Sequence, residues 1–426
     1  MSHSQANLDT NPVRRTGRFL EWQLAQIRSG GVTVLLAKIL RFVILVLVVP
    51  IAAIVWLLRP LVLIRFGRLL SQRIGHFAGN TELLLCERDA DLSGGGPKYD
   101  FFFHTAPVCN QQLKVMWERV LQVTPFAEYL YSLNCLVPWG SPHVLPLGLA
   151  KQDDRDVYGL LEHTGPHLSF SQGEERSGWS SLKQMGISEQ TPFICFHARD
   201  SEYLSRWESE ANFHYHDYRD SSINNYVLGV EELTRRGYLA VRMGAVVKDK
   251  LHPTNSMMID YAANGGRTDF LDIFLGAHCK FFISSGTGID AIPMIFRRPT
   301  MFVNFVPLEY GRYWDPFHVF IPKKHWLRGE GRFLAFREIL ESGVGRFLQA
   351  EKFEQRGIKL IENTPEEIKA VAIEMDERLR GNWKTTPEDE KLQQRFWSLF
   401  KPSELNQVFR ARIGAEFLRE NRELLD

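Results

Sequence analysis

Ser284-Ser285-Gly286-Thr287-Gly288 joins the apolar run KFFIS (280–284), whose last residue is Ser284, to IDAIPMIF (289–296). The first run reads as a strand and the second as a helix, so the loop's amides and the positive helix end converge where a phosphate could sit. Gly286 and Gly288 allow close approach, and the hydroxyls of Ser284, Ser285 and Thr287 can donate to phosphate oxygens. The same pattern also serves a plain strand–helix turn. His197-Ala198-Arg199-Asp200 closes a second strand, FICF (193–196), which places His197 and Arg199 at the same sheet edge, where ligands of open α/β sheets bind. A guanidinium suits a diphosphate because its planar fork donates two parallel hydrogen bonds. A surface pair with Asp200 or Glu202 is the alternative for Arg199. Arg242 ends the strand YLAVR (238–242) and joins the donor-contacting set. Asp290 and Glu309 are carboxylates placed after strands, suited to ribose or sugar hydroxyls.

His76, in RIGHFAGN (73–80), is the candidate general base, because imidazole titrates in the range that deprotonating a hydroxyl requires. A histidine bonded to its own loop is the other reading. His214, His216 and Asp217 bunch in one polar loop without a fourth ligand, so no metal is expected and the loop is read as contacting donor or acceptor. Asp220 and Asn224 follow it and are candidates for sugar contacts.

These residues need a scaffold. LVLIRFG (61–67) reads as a strand, RIGHFAGN as its loop and TELLL as a continuation, with YDFFFH (99–104) as another strand. Residues 138–188, rich in Pro, Gly and Ser, read as a connection. Beyond them strands alternate with helices, which implies an α/β fold with a parallel sheet. Gly237 suits the C-terminal cap of NYVLGVEELTRR (225–236) and Asp269 the N-terminal cap of FLDIFLGA (270–277). Thr364-Pro365-Glu366-Glu367 is a capping box with Pro at the first helical position. Helices are expected at 387–400 and 403–424.

Residues 42–58, FVILVLVVPIAAIVWLL, carry no charge, lie between Lys38–Arg41 and Arg59–Arg73, and are near the lower length limit for a spanning helix. Basic residues on both flanks and Pro50 in the middle suit a re-entrant or monotopic element, with a single span as competitor. Leu20, Leu24 and Ile27 line one face of a preceding interfacial helix. Deleting residues 1–60 should then free the rest from membranes. With 426 residues and a net charge of +1, no global field favours nucleic acid. Five scattered cysteines without a CxxC pair suit a reducing compartment and no disulfide framework. The expected organisation is a tail at 1–18, the membrane element at 19–65, an acceptor-side Rossmann-like domain with its connection at 66–185, a nucleotide-sugar domain at 186–385 and terminal helices at 386–426.

The ordered run HARDSEYL…YRDSSINNY…LTRRGYLAVRMG…DFLDIFLGAHCKFFISSGTGID…RRPTMFVN, with RIGHFAGNTELLL before it, resembles a bacterial glycosyltransferase family of surface polysaccharide synthesis. The similarity spans residues 70–310 and runs on towards 400. The His-x-Arg element is also similar to the donor-site motif of the fucosyltransferase superfamily, whose members are inverting and metal-independent. There the Arg contacts the nucleotide diphosphate, a role that falls on Arg199; Asp200 stands where a second Arg is usual, which departs from users of GDP-fucose. The resemblance implies a GT-B-like fold of two Rossmann-like domains. It implies no cofactor, a nucleotide-sugar co-substrate, and hexosyl or deoxyhexosyl transfer to a lipid-linked or cell-surface glycan at the cytoplasmic face of the bacterial inner membrane. Two rivals remain: a nucleotide-sugar epimerase or hydrolase on the same fold, and a non-catalytic membrane-anchored component of a polysaccharide assembly complex.

Overall fold

The computed structural model describes residues 12–92, 94–145, 154–202 and 214–426, with side chains from residue 31 on except that of His214. The tail at 1–11 and Tyr203 lie outside the described residues, as do the side chains of the interfacial face Leu20, Leu24 and Ile27. The chain forms two compact units. One comprises Met1–Arg68, Gly95–Phe103 and Val123–Pro146; the other Leu69–Gly94, His104–Gln122 and Leu147–Asp426. The first helices are α1 (Pro12–Leu58), α2 (Ile74–Asp89), α3 (Gln111–Val120), α4 (Ala127–Leu136), α5 (Gln172–Gln184), α6 (Asn224–Arg235), α7 (Asp269–His278) and α8 (Ala291–Ile295).

The smaller unit holds a four-stranded sheet in the order β3-β2-β1-β4, from β1 (Leu63–Leu69), β2 (Lys98–His104), β3 (Gln122–Val123) and β4 (Val144–Leu145). Helix α1 starts at Pro12, within the stretch read as a tail, and runs on through Pro50; its one non-helical residue is Gly31, at φ 62° and ψ −154°. This corrects the expectation of a hairpin turning at Pro50. Glycine enters that backbone region without steric cost, whereas Pro50 only removes one donor from a helix that continues on both sides. Nor is α1 a detachable anchor. Val48, Ala52 and Val55, flanked by Ile44 and Trp56, share one helical face and are packed with Phe66, Phe103, Ala127 and Leu130.

Deletion of residues 1–60 is therefore expected to leave the core of this unit open rather than to release a folded protein. Two fully buried valines alone contribute on the order of 3–6 kcal/mol, a large share of the roughly 5–15 kcal/mol that holds a domain. A deletion of residues 1–42 keeps the packed face and should retain a cooperative thermal melt, while the longer deletion aggregates. Equal melts for the two truncations would show that α1 contributes nothing to the fold.

The larger unit is built on a seven-stranded sheet in the order β14-β10-β9-β8-β5-β6-β7. Its strands are β5 (Phe193–His197), β6 (Leu239–Arg242), β7 (Met258–Ile259), β8 (Phe282–Ser284), β9 (Thr300–Phe305), β10 (Val319–Pro322) and β14 (Arg412–Ile413), and every adjacent pair is parallel. A separate antiparallel sheet joins β11 (Lys324–Leu327), β12 (Arg332–Phe333) and β13 (Ile358–Ile361). From β5 the chain winds outward through β6 and β7, then returns to β8 on the other side of β5 and winds outward through β9 and β10. The winding direction thus reverses between β5 and β8, the place in such sheets where a crevice opens at the carboxyl ends of the strands.

Several local expectations change. RIGHFAGN and TELLL are not a loop and a strand but the body of α2. Residues 138–188 contain α5, opened by a capping box of Ser171 and Glu174 whose Ser-x-x-Glu signature stands in the sequence. Thr268, not Asp269, caps α7 by accepting from the Leu271 amide at 3.1 Å; the Asp269 carboxylate instead accepts from the Gln111 amide at 2.7 Å. In place of one helix at 403–424 the chain forms β14, a helix at Ala415–Glu420 and a short turn at Arg422–Leu425. The Thr364 capping box and Gly237, with φ 96° after α6, are as the sequence predicts.

Candidate functional site

Parallel register lines up the candidate residues at one edge of the larger unit. His197 pairs with Ser284 across β5 and β8, and Phe196 with Arg242 across β5 and β6. The backbone N–H of Arg199 donates to Ser285 Oγ at 3.1 Å, so the two motifs meet directly. His197 Nδ1 donates to the Met243 carbonyl at 3.0 Å, and burial lowers its pKa, leaving a neutral ring with its Nε2 lone pair available.

The loop after β8 is braced from within. Ser284 Oγ donates to Asp290 Oδ2 at 2.9 Å and accepts from the Gly286 amide at 3.1 Å, while the Thr287 amide donates to the same carboxylate at 2.7 Å. Asp290 also pairs with Arg312 at 2.9 Å and is buried. Its carboxylate thus holds the loop's shape rather than facing outward for ribose, and the amides of 286 and 287 are already engaged. Thr287 Oγ1 is buried with no hydrogen-bond partner among the described residues, the one hydroxyl of the loop left for a ligand. Gly286 sits at φ 81°, and a Cβ there would come to 3.0 Å from the Phe305 ring.

Arg199 is only 8% exposed. Its Nη1 donates to the His216 carbonyl at 2.9 Å and to Asp220 Oδ1. The surface pair with Asp200 or Glu202 is not the one formed; Asp200 instead accepts from the amides of Glu202 and Lys248. Burial, and then Arg219 nearby, lower the Arg199 pKa, and Asp220 offsets them. Burial pushes Asp220 up to about 6 despite Arg199 beside it. Lys323, directly after β10, is buried and donates Nζ to the carbonyls of Tyr218 and Asp220. Burial brings its pKa down to about 8, with Arg199 adding to the depression and Glu362 and Asp220 opposing it. His216 is brought down to about 3 by burial and then by Arg219, Arg199 and Arg73. Arg199, Arg219 and Lys323 therefore lie among the carboxylates of Asp200, Asp217, Asp220 and Glu362, with Arg73 acting on His216. The depressed His216 reports the positive side of this cluster at the turn His214–Arg219.

Read along the chain, Arg73, Arg219 and Lys323 carry no chemical signature. The only signal for Lys323 is a Pro-Lys-Lys run closing an apolar strand. Arg73 arrives because α2 packs against the loop after β8: a Cβ on Gly75 would lie 2.8 Å from Gly288 Cα. The same packing brings His76 to this edge. Its Nδ1 is 3.2 Å from the Asn80 amide oxygen, which accepts, so Nε2 keeps its lone pair. Two candidates are engaged elsewhere. Arg242 is buried with its guanidinium 3.4 Å from Asp260, and Glu309 accepts from Arg346 at 2.8 Å.

One further cluster has metal-ligating types. Ligand atoms of Glu82, Cys86 and His167 lie within 4.8 Å of one another. There Arg297 donates to Glu82 Oε1 at 2.7 Å, and His167 bridges Glu82 at 3.0 Å and Asp89 at 2.9 Å. Hydrogen bonding to Cys86 and Glu82 raises the His167 pKa to about 10. Two organic cations thus neutralise the buried carboxylate and tie α2 to the end of α8.

No family model matches the chain, and no curated protein matches it. Among solved structures it is similar to E. coli ADP-heptose lps heptosyltransferase II at 15% identity and a TM-score of 0.39, over 74% of this chain and 99% of that one. It is similar to the glycosyl transferase family 9 structure from Veillonella parvula DSM 2008 at 10% identity and a TM-score of 0.42, over 74% and 96%. E. coli heptosyltransferase WaaC with ADP aligns at 12% identity and a TM-score of 0.28, over 61% and 91%. Likenesses this distant leave the chemistry to be argued from the residues of this chain.

Proposed function

We propose that the chain is a GT-B-like glycosyltransferase that moves a sugar from a nucleotide-sugar donor to a lipid-linked or cell-surface glycan acceptor at the membrane, with inversion and without a metal. The observation that carries this reading is Arg199, held against the loop after β8 where the sheet reverses its winding, with Arg73, Arg219 and Lys323 acting on the same group of side chains. A departing nucleoside diphosphate is stabilised mainly by preorganised positive charge, and these groups supply it without a metal. Asp220 is the resident counter-ion of Arg199; a bound diphosphate would replace it. The acceptor oxygen attacks the anomeric carbon, the bond to the diphosphate breaks, and His76 Nε2 takes the acceptor's proton. The apolar α1 accords with an acceptor that lies in a membrane.

Binding of UDP, GDP, ADP, dTDP and CMP, measured by calorimetry, tests the reading and names the base. One nucleotide should bind with affinity that falls as the pH rises through about 8. The sign follows from Lys323, whose folded pKa of about 8 lies below its ordinary value. The free protein carries its charge below that pH and loses it above, while the anion favours the charged form. Lys323→Met should remove this pH dependence. If none of the nucleotides binds, the assignment of the cluster to a donor fails.

A further inference from the structure

The charged edge of the larger unit leaves unexplained a second surface, on the smaller unit. Leu57, Leu61, Leu136 and Trp139 are 79%, 75%, 72% and 58% exposed, and they gather where α1 ends. The Trp139 ring meets Trp56 edge-on at 5.9 Å, and Trp56 Nε1 donates to Asn134 Oδ1 on α4 at 2.9 Å. A Cβ on Gly140 would lie 2.2 Å from the Asn134 carbonyl, so only glycine lets the turn Pro138–His143 press against α4 and hold Trp139 outward. Near the start of α4, Arg41 pairs with Glu128 at 2.9 Å. Helix α1 thus lies along α4 from Arg41 to Trp56, with its opposite face, including Phe42, Leu47 and Ile54, exposed.

We infer that this unit is a monotopic membrane module: α1, the end of α4 and the Trp139 turn together enter one leaflet of an anionic bilayer, and α1 does not span it. The reason is length. The part of α1 clear of α4, Gly31–Leu40, is about 15 Å long at roughly 1.5 Å per residue, short of the ~30 Å hydrocarbon core. A spanning α1 would drag α4 and its exposed Glu128 carboxylate into lipid. Trp at the rim and the exposed Arg59 beside Leu57 and Leu61 suit the headgroup level of an anionic leaflet. The inference is independent of the donor site.

The test uses the full chain with Cys109 and Cys135 replaced by serine, added to preformed vesicles of phosphatidylcholine and phosphatidylglycerol. A Leu136→Cys protein carrying an environment-sensitive fluorophore should shift to the blue and be quenched by nitroxide lipids. A Ser29→Cys protein should react with a membrane-impermeant maleimide to the same extent before and after detergent. Protection of that introduced thiol until detergent is added would establish a span and overturn the inference. An unquenched probe at 136 would also overturn it, because a second copy of the chain, detectable by cross-linking at that position, would then be the occupant. Leu136 is exposed and position 29 precedes the break at Gly31, away from the packed face, so both variants retain the fold.

Discussion

Arg199→Ala is expected to abolish sugar transfer and to weaken nucleoside diphosphate binding by at least about tenfold, since a hydrogen bond to a charged group contributes roughly 1.5–3 kcal/mol. Two effects combine. The variant lacks the planar fork proposed to meet the diphosphate, and it leaves Asp220 without the cation that now faces it, so the local field turns against an anion. Arg199→Lys should recover part of the binding, because a point charge restores attraction without the paired contact. Asp220→Asn works in the opposite sense. It removes the resident competitor while keeping the guanidinium, so it should bind the diphosphate at least as tightly as the wild type. His76→Ala should leave binding unchanged and lose turnover. Calorimetry and a transfer assay on these four proteins separate the roles. An Arg199→Ala protein with normal affinity and normal turnover would place the donor elsewhere in the chain.

Gly75→Val should cost about 100-fold in turnover, the scale of loss expected when catalytic groups are displaced by ~1 Å. The added Cβ meets the backbone of Gly288 at 2.8 Å from Cα and 3.2 Å from the carbonyl oxygen, and backbone cannot rotate away. Helix α2 must then back off from the loop after β8, carrying Arg73 and His76 with it. Overpacking of this kind typically costs about 1–3 kcal/mol, so the thermal midpoint should fall without loss of the fold. Gly79→Ala is the matched control. Its Cβ would meet the flexible end of Met294 at 3.2 Å and Ala291 Cβ at an ordinary 3.8 Å, and alanine favours the helix, so turnover and stability should stay near normal. A Gly75→Val protein as active as Gly79→Ala would show that the contact between α2 and residue 288 is not needed for the proposed transfer.

The two glycines also explain why the sequence of α2 reads as a loop. Each glycine costs a helix about 1 kcal/mol relative to alanine, and with His76 and Thr81 nearby the stretch has the local character of a loop. What they provide is visible only in three dimensions: close approach to Gly288 and to Met294. The role of Asp290 misleads in sequence for a related reason. A carboxylate two residues beyond a glycine loop reads as a ligand for ribose or sugar hydroxyls. The hydrogen bonds from Ser284 and Thr287 instead make it the brace of that loop.

What the sequence determined by itself were features that local chemistry dictates. Continuous apolar runs bounded by glycine and polar loops are strands buried on both faces, so β5, β6, β8 and β9 were legible, and a parallel sheet puts their following residues, His197, Arg199 and Ser284–Gly288, on one edge. The Thr364 capping box and Gly237 were legible because a cap is satisfied within a few residues. The uncharged run in α1 announced a helix for an apolar setting. Only the tertiary structure decided that α1 is part of a core, that its break is at Gly31, that Lys323 joins Arg199 beside Asp220, and that Arg73 and Arg219 join Arg199 beside His216. Those residues come from a helix start, a turn and a strand end distant in sequence. Charge acts through space and is indifferent to chain order, so no spacing rule along the sequence could have brought them together.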